Sequence, residues 1–262
     1  MKTLIYQVAV GKQSKLYEHC IASVATYCKK YHIDHIVQTK PILMIRPDPF
    51  NSGRSKEATE RLGYLPIYEK ENAFRYFDTY DKIVIVDADI YIRPTAPNIF
   101  FAIDGGVDFA GVVERTMPIT NEYAAKIINY SRMQYEPLRN TINMKWNNLG
   151  AEFYNMGLMC MNKSITRFFK PGETPGQFIM RTEFKDFVDG KGPWKWSTDQ
   201  TLLNYWVKKE QMQTQNLDWK WNALFTACES VDEAYFIHFF LKDKLPHAGE
   251  DVVSLMEQIE VC

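Results

Sequence analysis

The sequence predicts one α/β domain with a mixed, mostly parallel central sheet flanked by helices. The chain has 262 residues, 46% of them hydrophobic, which is enough to bury one large core. Its amino-terminal half alternates strand-like and helix-like segments, and this alternation is typical of a sheet covered on both sides. The four aliphatic residues at 83–86, with the sequence IVIV, indicate a strand that is buried on both faces.

The first predicted elements are a strand, a helix and a second strand. Residues 3–10 predict the first strand, and Ser14 is placed to cap the helix that follows. This helix has an apolar face at helical spacing, formed by Leu16, Cys20, Val24, Cys28 and Tyr31. Residues 33–38 predict the second strand.

Two further helices are predicted before the buried strand at 83–86. Ser55 would cap the first of them, which ends at Gly63. The second has an apolar face formed by Ala73, Phe77 and Tyr80. This order of strands and helices favours parallel strands joined by helical crossovers.

The second half of the chain is less regular. Its predicted strands cover residues 107–113, 152–161 and 234–240, and its predicted helices cover residues 121–133 and 177–188. Ser197 and Gln200 have the spacing of a capping box at the start of another helix. The last segment carries an apolar stripe that predicts a helix docked on the core, formed by Val252, Leu255, Met256 and Ile259.

Composition excludes several classes of function. The 31 basic and 32 acidic residues nearly balance and form no dense basic run, so we expect no nucleic-acid partner. No run of about 18 apolar residues occurs, so we expect no membrane span. Residues 1–15 are too polar for the core of a signal peptide and predict a strand instead. The five cysteines form no CxxC pair, which indicates free thiols and a reducing, cytoplasmic location.

The sharpest chemical signal is the triplet Asp87-Ala88-Asp89, which follows the predicted buried strand. A DxD triplet arises by chance about 0.6 times in a chain of this length, so the position of the triplet carries the inference. Ligands of open α/β sheets bind outside the carboxyl ends of strands. Two carboxylates there can turn toward one hard cation, and Mg²⁺ is typically shared between carboxylates and phosphate oxygens. The triplet therefore predicts a metal–diphosphate site.

A histidine in a later apolar strand is the second signal. His238 lies within the predicted strand at 234–240, where a core histidine is the alternative interpretation. Its imidazole can complete the coordination of a divalent ion. Lys244 follows closely and could neutralise phosphate charge. Both roles require the fold to bring the two segments together.

Several short motifs occur in order between Thr3 and Lys244. They are Val8-Ala9-Val10-Gly11 with Tyr17 beyond, a basic residue at Lys70 or Arg75, IVIVDAD ending at Asp89, Asn155-Met156-Gly157, Asp199-Gln200, Trp221-Asn222, and His238 with Lys244 six residues on. This order resembles the metal-dependent glycosyltransferases of the GT-A fold, closest to glycosyltransferase family 8, which includes glycogenin-like enzymes.

The resemblance implies a Rossmann-like GT-A fold and a reaction. Residues 1–262 would form one domain, with a nucleotide-binding half at 1–115 and a half for the donor sugar and acceptor at 116–262. The enzyme would move a sugar from a nucleotide-diphosphate sugar, with a UDP-sugar favoured, to a hydroxyl of a glycan or another acceptor. The reaction would depend on Mn²⁺ or Mg²⁺ and would retain the anomeric configuration.

The resemblance also implies a role for each matched residue. Asp89 and His238 would ligate the metal, and Asp87 would be shared between metal and ribose. The donor sugar would face Asn155, Asp199 and Gln200, and Lys244 would support the diphosphate. The remaining nucleotide-binding positions would be Val8, Ala9, Val10, Tyr17, Lys70 or Arg75, Ala88 and Gly157.

Some positions depart from the pattern or admit a structural interpretation. Leu241 stands where the family has a glycine, and we expect a leucine there to avoid a positive φ. Asp199 and Gln200 could simply cap their helix, and Asn155-Met156-Gly157 could be only a kinked strand. Trp146, Trp194 and Trp196 lie in loop-like segments and could form an acceptor cleft.

Other classes of protein remain as alternatives. A haloacid-dehalogenase-type phosphatase also has a DxD after a strand, although usually early in the chain. A nucleotidyltransferase would have a glycine-rich basic loop where residues 10–14 have one glycine, and a dehydrogenase would have GxGxxG. A catalytically inactive nucleotide-sugar-binding relative is a further alternative. If the reaction inverts, Glu152 or Asp199 could serve as the base.

Overall fold

The computed structural model of the chain describes residues 1–11, 14–54 and 63–260. The predicted helix from Ser55 to Gly63 lies outside the described residues except for its last position. Among the described residues, no helix combines the length and the apolar character that crossing a membrane would need.

The strands are, in chain order, β1 Thr3–Val8, β2 Asp34–Gln38, β3 Lys82–Val86, β4 Ile90–Ile92, β5 Phe109–Val113, β6 Trp146–Asn147, β7 Gly150–Ala151, β8 Tyr154–Asn162, β9 Thr214–Asn216, β10 Ala223–Leu224 and β11 Phe236–His238. The α-helices are α1 Lys15–Tyr31, α2 Ile99–Ala102, α3 Asn121–Tyr135, α4 Pro175–Ile179, α5 Lys185–Asp189, α6 Asp199–Lys209 and α7 Val252–Glu260. A long 3₁₀ helix covers Pro66–Asp78, and shorter 3₁₀ turns cover Glu114–Thr116, Glu136–Leu138, Lys163–Phe168, Thr182–Phe184, Gly192–Trp194, Trp219–Trp221, Lys242–Lys244 and Pro246–Gly249.

The central sheet has six strands in the order β2-β1-β3-β8-β5-β9. Strand β8 runs antiparallel to both neighbours, whereas the other neighbouring pairs are parallel. The predicted mixed, mostly parallel sheet is confirmed. All nine residues of β8 are buried. Because β8 comes from the second half of the chain and lies between β3 and β5, both halves build the same sheet.

A small sheet of three strands, β10-β11-β4, lies beside the central one. Strand β4 begins directly after the DxD triplet, and β11 pairs with it antiparallel so that His238 faces Ile90. Two further backbone bonds fix the triplet: Asp87 N–H donates to Gly157 O at 2.9 Å, and Phe239 N–H donates to Asp89 O at 2.9 Å. The triplet therefore lies where the chain passes from one sheet to the other.

The predicted helix at 177–188 is wrong as a single element, because the chain forms α4 and α5 with a 3₁₀ turn between them. The break follows from Arg181, which is buried and has a non-helical ψ of 142°. Its guanidinium donates to both oxygens of Glu173, at 2.9 and 2.6 Å. This tertiary ion pair holds Arg181 out of helical geometry.

The predicted cap of α6 is displaced by one residue. Thr198 is the N-cap, and its hydroxyl oxygen accepts from Gln200 N–H at 3.2 Å. Ser197 instead donates its hydroxyl proton to Phe187 O at 2.6 Å. The terminal helix α7 is confirmed, with Leu255 and Ile259 fully buried.

Candidate functional site

Two carboxylates and one imidazole converge beyond the end of β3. The ligand atoms of Asp87, Asp89 and His238 all lie within 4.8 Å of one another. His238 Nε2 is 3.3 Å from Asp89 Oδ1 and 3.7 Å from Asp87 Oδ2. Carboxylate oxygens and an imidazole nitrogen are suitable ligands for a hard or borderline divalent cation such as Mg²⁺ or Mn²⁺. We call these three residues the DDH cluster.

Gly157 allows the DDH cluster to close. A Cβ atom at this position would overlap ring atoms Cε1 and Nδ1 of His238. Gly157 lies in β8, and its carbonyl accepts from Asp87 N–H. The glycine is therefore required because the ring of His238 lies directly on the backbone that also holds the DxD turn.

The DDH cluster is electrostatically coupled. Burial disfavours a charged imidazole, but Asp89 and Asp87 outweigh burial and raise the pKa of His238. Burial also opposes the charge of Asp89, yet His238 and Lys242 outweigh it and lower the pKa of that carboxyl. Asp89 is therefore a charged carboxylate at neutral pH.

Lys70 links the DDH cluster to the start of α6. Its Nζ lies 2.9 Å from Asp87 Oδ1 and 2.7 Å from Asp199 Oδ2, and it donates to Met156 O at 2.9 Å. Burial disfavours the ammonium, but the two carboxylates outweigh burial and raise the pKa of Lys70. Burial raises the pKa of Asp199, with Lys70 opposing.

Two cavities meet at these charges, and both are lined by Lys70, Asp87, Asp89 and Asp199. The larger has a volume of about 720 Å³, and its other walls come from α3, β8, the start of α6, and the segment after β11. The smaller has a volume of about 260 Å³ and extends to the end of β1, to Tyr17 and to Ala88. The DDH cluster thus stands between a small pocket and a large one.

Three solved structures share this architecture. A glycosyltransferase involved in glycosylation of the major capsid of PBCV-1 covers 98% of this chain and 100% of its own, with a TM-score of 0.56 and 14% identity. The alignment with the galactosyltransferase LgtC covers 90% of this chain and 87% of LgtC, with a TM-score of 0.51 and 13% identity. The alignment with mouse xyloside xylosyltransferase 1 covers 94% of this chain and 100% of that protein, with a TM-score of 0.51 and 11% identity. The chain has the GT-A fold. No protein-family model and no curated protein matches the sequence.

Within this GT-A fold, Val8, Val10, Tyr17 and Ala88 line the small cavity, and Ala9 lies between the first two in sequence. Asn155, Gly157, Asp199 and Gln200 line the large one. Gln200 Oε1 accepts from Met156 N–H at 3.2 Å, and Asp199 is held by Lys70. These contacts tie the start of α6 to β8 and to the DDH cluster.

Unlike Lys70, two of the basic residues named from the sequence make their contacts away from the DDH cluster. Arg75 is exposed, and its guanidinium stacks on the Tyr76 ring. Lys244 Nζ pairs with Glu122 Oε1 at 3.0 Å. Lys242, to which no role was assigned from the sequence, lies closer to the cluster: its Nζ is 3.4 Å from the centre of the Tyr17 ring, and its charge lowers the pKa of Asp89.

The backbone at Leu241 explains this arrangement and corrects the sequence-based expectation. Leu241 has φ 56° and ψ 62°, in the left-handed region that favours glycine, the residue that the resemblance places there. For a residue with a Cβ this conformation costs roughly 1–2 kcal/mol. The side chain is 37% exposed, which leaves room for it. The following 3₁₀ turn directs Lys242 toward Tyr17.

Glu114, which was not predicted from the sequence, is a buried acid in the wall of the large cavity. Its Oε1 accepts from Tyr123 OH at 2.6 Å, and its Oε2 accepts from Asn155 Nδ2 at 2.8 Å. Burial raises the pKa of Glu114, against the effect of both hydrogen bonds. Glu114 directly follows β5, so the rule that drew attention to the DxD after β3 could have found it.

The three tryptophans named for an acceptor cleft line neither cavity among the described residues. The guanidinium of Arg139 lies 3.9 Å from the centre of the Trp146 ring. Trp194 Nε1 donates to Gln134 O at 3.1 Å, whereas the Trp196 side chain is 60% exposed.

The 3₁₀ helix that carries Lys70 also holds two buried glutamates, of which one has a full set of hydrogen bonds and the other has none through its carboxylate to the described residues. Glu69 accepts four hydrogen bonds, from the Gln38 side chain and from backbone N–H groups of residues 42, 43 and 44. Neither carboxylate oxygen of Glu71 is hydrogen-bonded to another described residue. Burial raises the pKa of Glu71 well above its ordinary value, with Asp199 acting in the same direction and Lys70 against it.

We expect Glu71→Met to stabilise the protein by about 1–3 kcal/mol at neutral pH, because it removes an unsatisfied buried acid. The native state binds the Glu71 proton more tightly than the unfolded state does. Stability therefore falls as pH rises above the unfolded pKa, and Glu71→Met should remove that fall. Urea unfolding at acidic and neutral pH measures both effects. The matched control Glu69→Met should destabilise by about 2–4 kcal/mol. Equal effects of the two substitutions would contradict the assignment.

Proposed function

We propose that the chain transfers a sugar from a nucleotide-diphosphate sugar to a hydroxyl acceptor, with Mn²⁺ or Mg²⁺ held by the DDH cluster. The observation that carries the proposal is the position of this cluster between a small and a large cavity. The structures of similar fold support it, since LgtC was solved with donor and acceptor sugar analogs. The order of motifs favours kinship with glycosyltransferase family 8.

In this proposal the small cavity takes the nucleoside and the large cavity takes the donor sugar and the acceptor. The nucleoside would lie against Val8, Ala9, Val10 and Tyr17, with a UDP-sugar favoured. The diphosphate would cross the DDH cluster beside Ala88 and Gly157. A glycan hydroxyl would then enter the large cavity, whose volume of about 720 Å³ admits a sugar beside the donor.

Negative charge grows on the diphosphate as the bond to the anomeric carbon breaks, and the chain supplies charge to meet it. A bound divalent ion would act there as a Lewis acid. Lys70 is the proposed basic residue of the 3₁₀ helix, since it touches Asp87 whereas Arg75 is exposed. Lys242, whose charge lowers the pKa of Asp89, would also act on the phosphates, and Lys244 would join it after leaving Glu122.

Retention of the anomeric configuration is favoured by the state of the nearby acids. An inverting base must be free to take a proton from the acceptor. Asp199 is paired with Lys70, Glu114 accepts from Tyr123 and Asn155, and both line the large cavity. Glu152 is paired with Arg115 and is not among the described residues that line the large cavity.

We also propose a reducing compartment, since the described cysteines are buried free thiols.

Thermal-shift measurements with UDP and other nucleoside diphosphates test the proposal. Ligand at 100 times its Kd stabilises the folded state by about 2.7 kcal/mol, which raises Tm by roughly 5–10 °C at this size. We expect this rise only when Mn²⁺ accompanies the nucleotide. Transfer from UDP-sugars is then followed with a panel of glycan acceptors. Binding without turnover would indicate an inactive relative, and hydrolysis of a generic phosphate ester without nucleotide binding would indicate a phosphatase.

A further inference from the structure

A chain of buried hydrogen bonds leads from the backbone of β8 to the ring of His238. Gly157 N–H donates to Asn155 Oδ1 at 3.0 Å, and Asn222 Nδ2 donates to the same oxygen at 2.9 Å. Asn222 Oδ1 lies 3.2 Å from His238 Nδ1. Both asparagines and the histidine are at least nine-tenths buried. Water therefore has little access to these bonds.

The donor and acceptor roles along this series of hydrogen bonds are fixed at its backbone end, at Gly157 N–H. A backbone N–H can only donate, so the atom of Asn155 that faces Gly157 must be the amide oxygen. The amide nitrogen of Asn155 then faces Glu114 Oε2, a carboxylate oxygen that accepts from it at 2.8 Å. Both ends of this amide agree on one orientation.

The same reasoning continues to the histidine. Because Asn155 presents an oxygen, the group of Asn222 that meets it must be the amide nitrogen. Asn222 then presents its oxygen to His238 Nδ1, and an oxygen can only accept. Nδ1 must therefore carry a proton, which leaves the lone pair of the neutral ring on Nε2, the atom that faces Asp89 and Asp87.

We infer that Asn155 and Asn222 are positioning residues that hold His238 in the Nδ1–H tautomer, so that Nε2 is free to ligate the cation. The cation's role in this inference rests on the proposed function. The two asparagines act against a competing contact: Asp89 Oδ1 is 3.3 Å from Nε2, and a carboxylate alone favours a proton on the nitrogen that faces it. Partners at the second ring nitrogen commonly orient metal-binding histidines in this way.

This inference gives Asn155 a role different from the sugar contact that the resemblance implies. Its Oδ1 already accepts from Gly157 and Asn222, and its Nδ2 donates to Glu114. The residue lines the large cavity, but its side chain makes these hydrogen bonds to other residues of the protein. Asn155 would therefore act on the reaction through His238.

The tautomer can be read directly in the wild-type protein. Protein with ¹⁵N-labelled histidine is studied by long-range ¹H–¹⁵N NMR at alkaline pH, where the ring is neutral, and His238 is assigned by its absence in His238→Gln. We expect a protonated Nδ1 and an unprotonated Nε2. A proton on Nε2 would overturn the inference. No metal or nucleotide is needed, so this result stands even if the proposed function fails.

Two substitutions of Asn222 then test the consequence for metal binding. Asn222→Leu removes the acceptor, so we expect the proton to move to Nε2 and the Kd for Mn²⁺ to rise about 10–100-fold. Asn222→Asp keeps an acceptor for Nδ1–H but removes the N–H that Asn155 Oδ1 accepts, so we expect the tautomer to stay and the Kd for Mn²⁺ to rise much less than in Asn222→Leu.

The outcomes separate the two hypotheses. An unchanged tautomer and an unchanged Kd in folded Asn222→Leu would overturn the positioning role. Should that variant fail to fold, the tautomer of the wild-type protein still decides it. Wild-type protein that has Nδ1–H but binds no Mn²⁺ would contradict the proposed function while leaving the positioning of the ring intact.

Discussion

Asp89→Asn should lower the rate of the proposed sugar transfer by about 10²–10³-fold or more, the scale seen when one group that stabilises transition-state charge is removed. The carboxylate of Asp89 is charged at neutral pH, because His238 and Lys242 lower its pKa against burial. Asparagine has nearly the same shape but no charge, so the DDH cluster keeps its geometry and loses one of its anionic ligands. The affinity for Mn²⁺ should fall with the rate.

The experiment measures transfer from a UDP-sugar across a Mn²⁺ titration, together with Mn²⁺ binding in the absence of substrate. Asp78→Asn is the matched control, because Asp78 undergoes the same change at an exposed position on the 3₁₀ helix. The control should keep the wild-type rate and metal dependence. If Asp89→Asn kept both as well, the DDH cluster would not be a catalytic metal site.

The sequence was sufficient to predict five of the six central strands, and the two central strands β3 and β8 carry the pattern of full burial. The short edge strand β9 was not predicted, because none of its three residues is buried. The IVIV run became β3, which is buried at all five positions, and the predicted strand at 152–161 became the fully buried β8. The break in the predicted helix at 177–188 could not be predicted from such a pattern. The helix breaks there because Arg181 pairs with Glu173, and such a contact leaves no mark in hydrophobic spacing.

Only part of the candidate site was predictable residue by residue, and its arrangement was not. Asp89 and His238 were each notable in sequence, yet only the pairing of β4 with β11 brings them to 3.3 Å. The choice between Lys70 and Arg75 was open, because the helix that carries them is wound as a 3₁₀ helix and places residues on its faces differently from an α-helix. In the same way, the left-handed turn at Leu241 could not be predicted from the sequence, and this turn decides that Lys242 rather than Lys244 lies near the DDH cluster.

These geometric details decide where the positive charge lies. Lys70 is enclosed between Asp87 and Asp199, with the unsatisfied Glu71 close enough for Lys70 to act on its pKa. Without the ammonium, several buried carboxyl groups would share one region of low dielectric. Lys70 is therefore expected to support both the fold and the site.

Lys70→Met should destabilise the protein by about 3–5 kcal/mol, the typical cost of leaving a buried charge without its partner. The loss should be larger at neutral than at acidic pH. The pKa of Asp199 is already raised by burial and would rise further without Lys70, so the native state would resist ionisation as pH increases. Urea unfolding at both pH values measures this difference.

The double variant Lys70→Met/Asp199→Asn identifies the cause. Neutralising Asp199 removes much of the stranded charge, so the double variant should be more stable than Lys70→Met alone. Lys126→Met is the matched control, since Lys126 pairs with Glu122 at the surface, one helical turn away on α3. Exposed pairs of this kind contribute about 0.3–0.5 kcal/mol, so the control should change stability little. Strictly additive effects of Lys70→Met and Asp199→Asn would mean that the short distance between these side chains carries no energetic coupling.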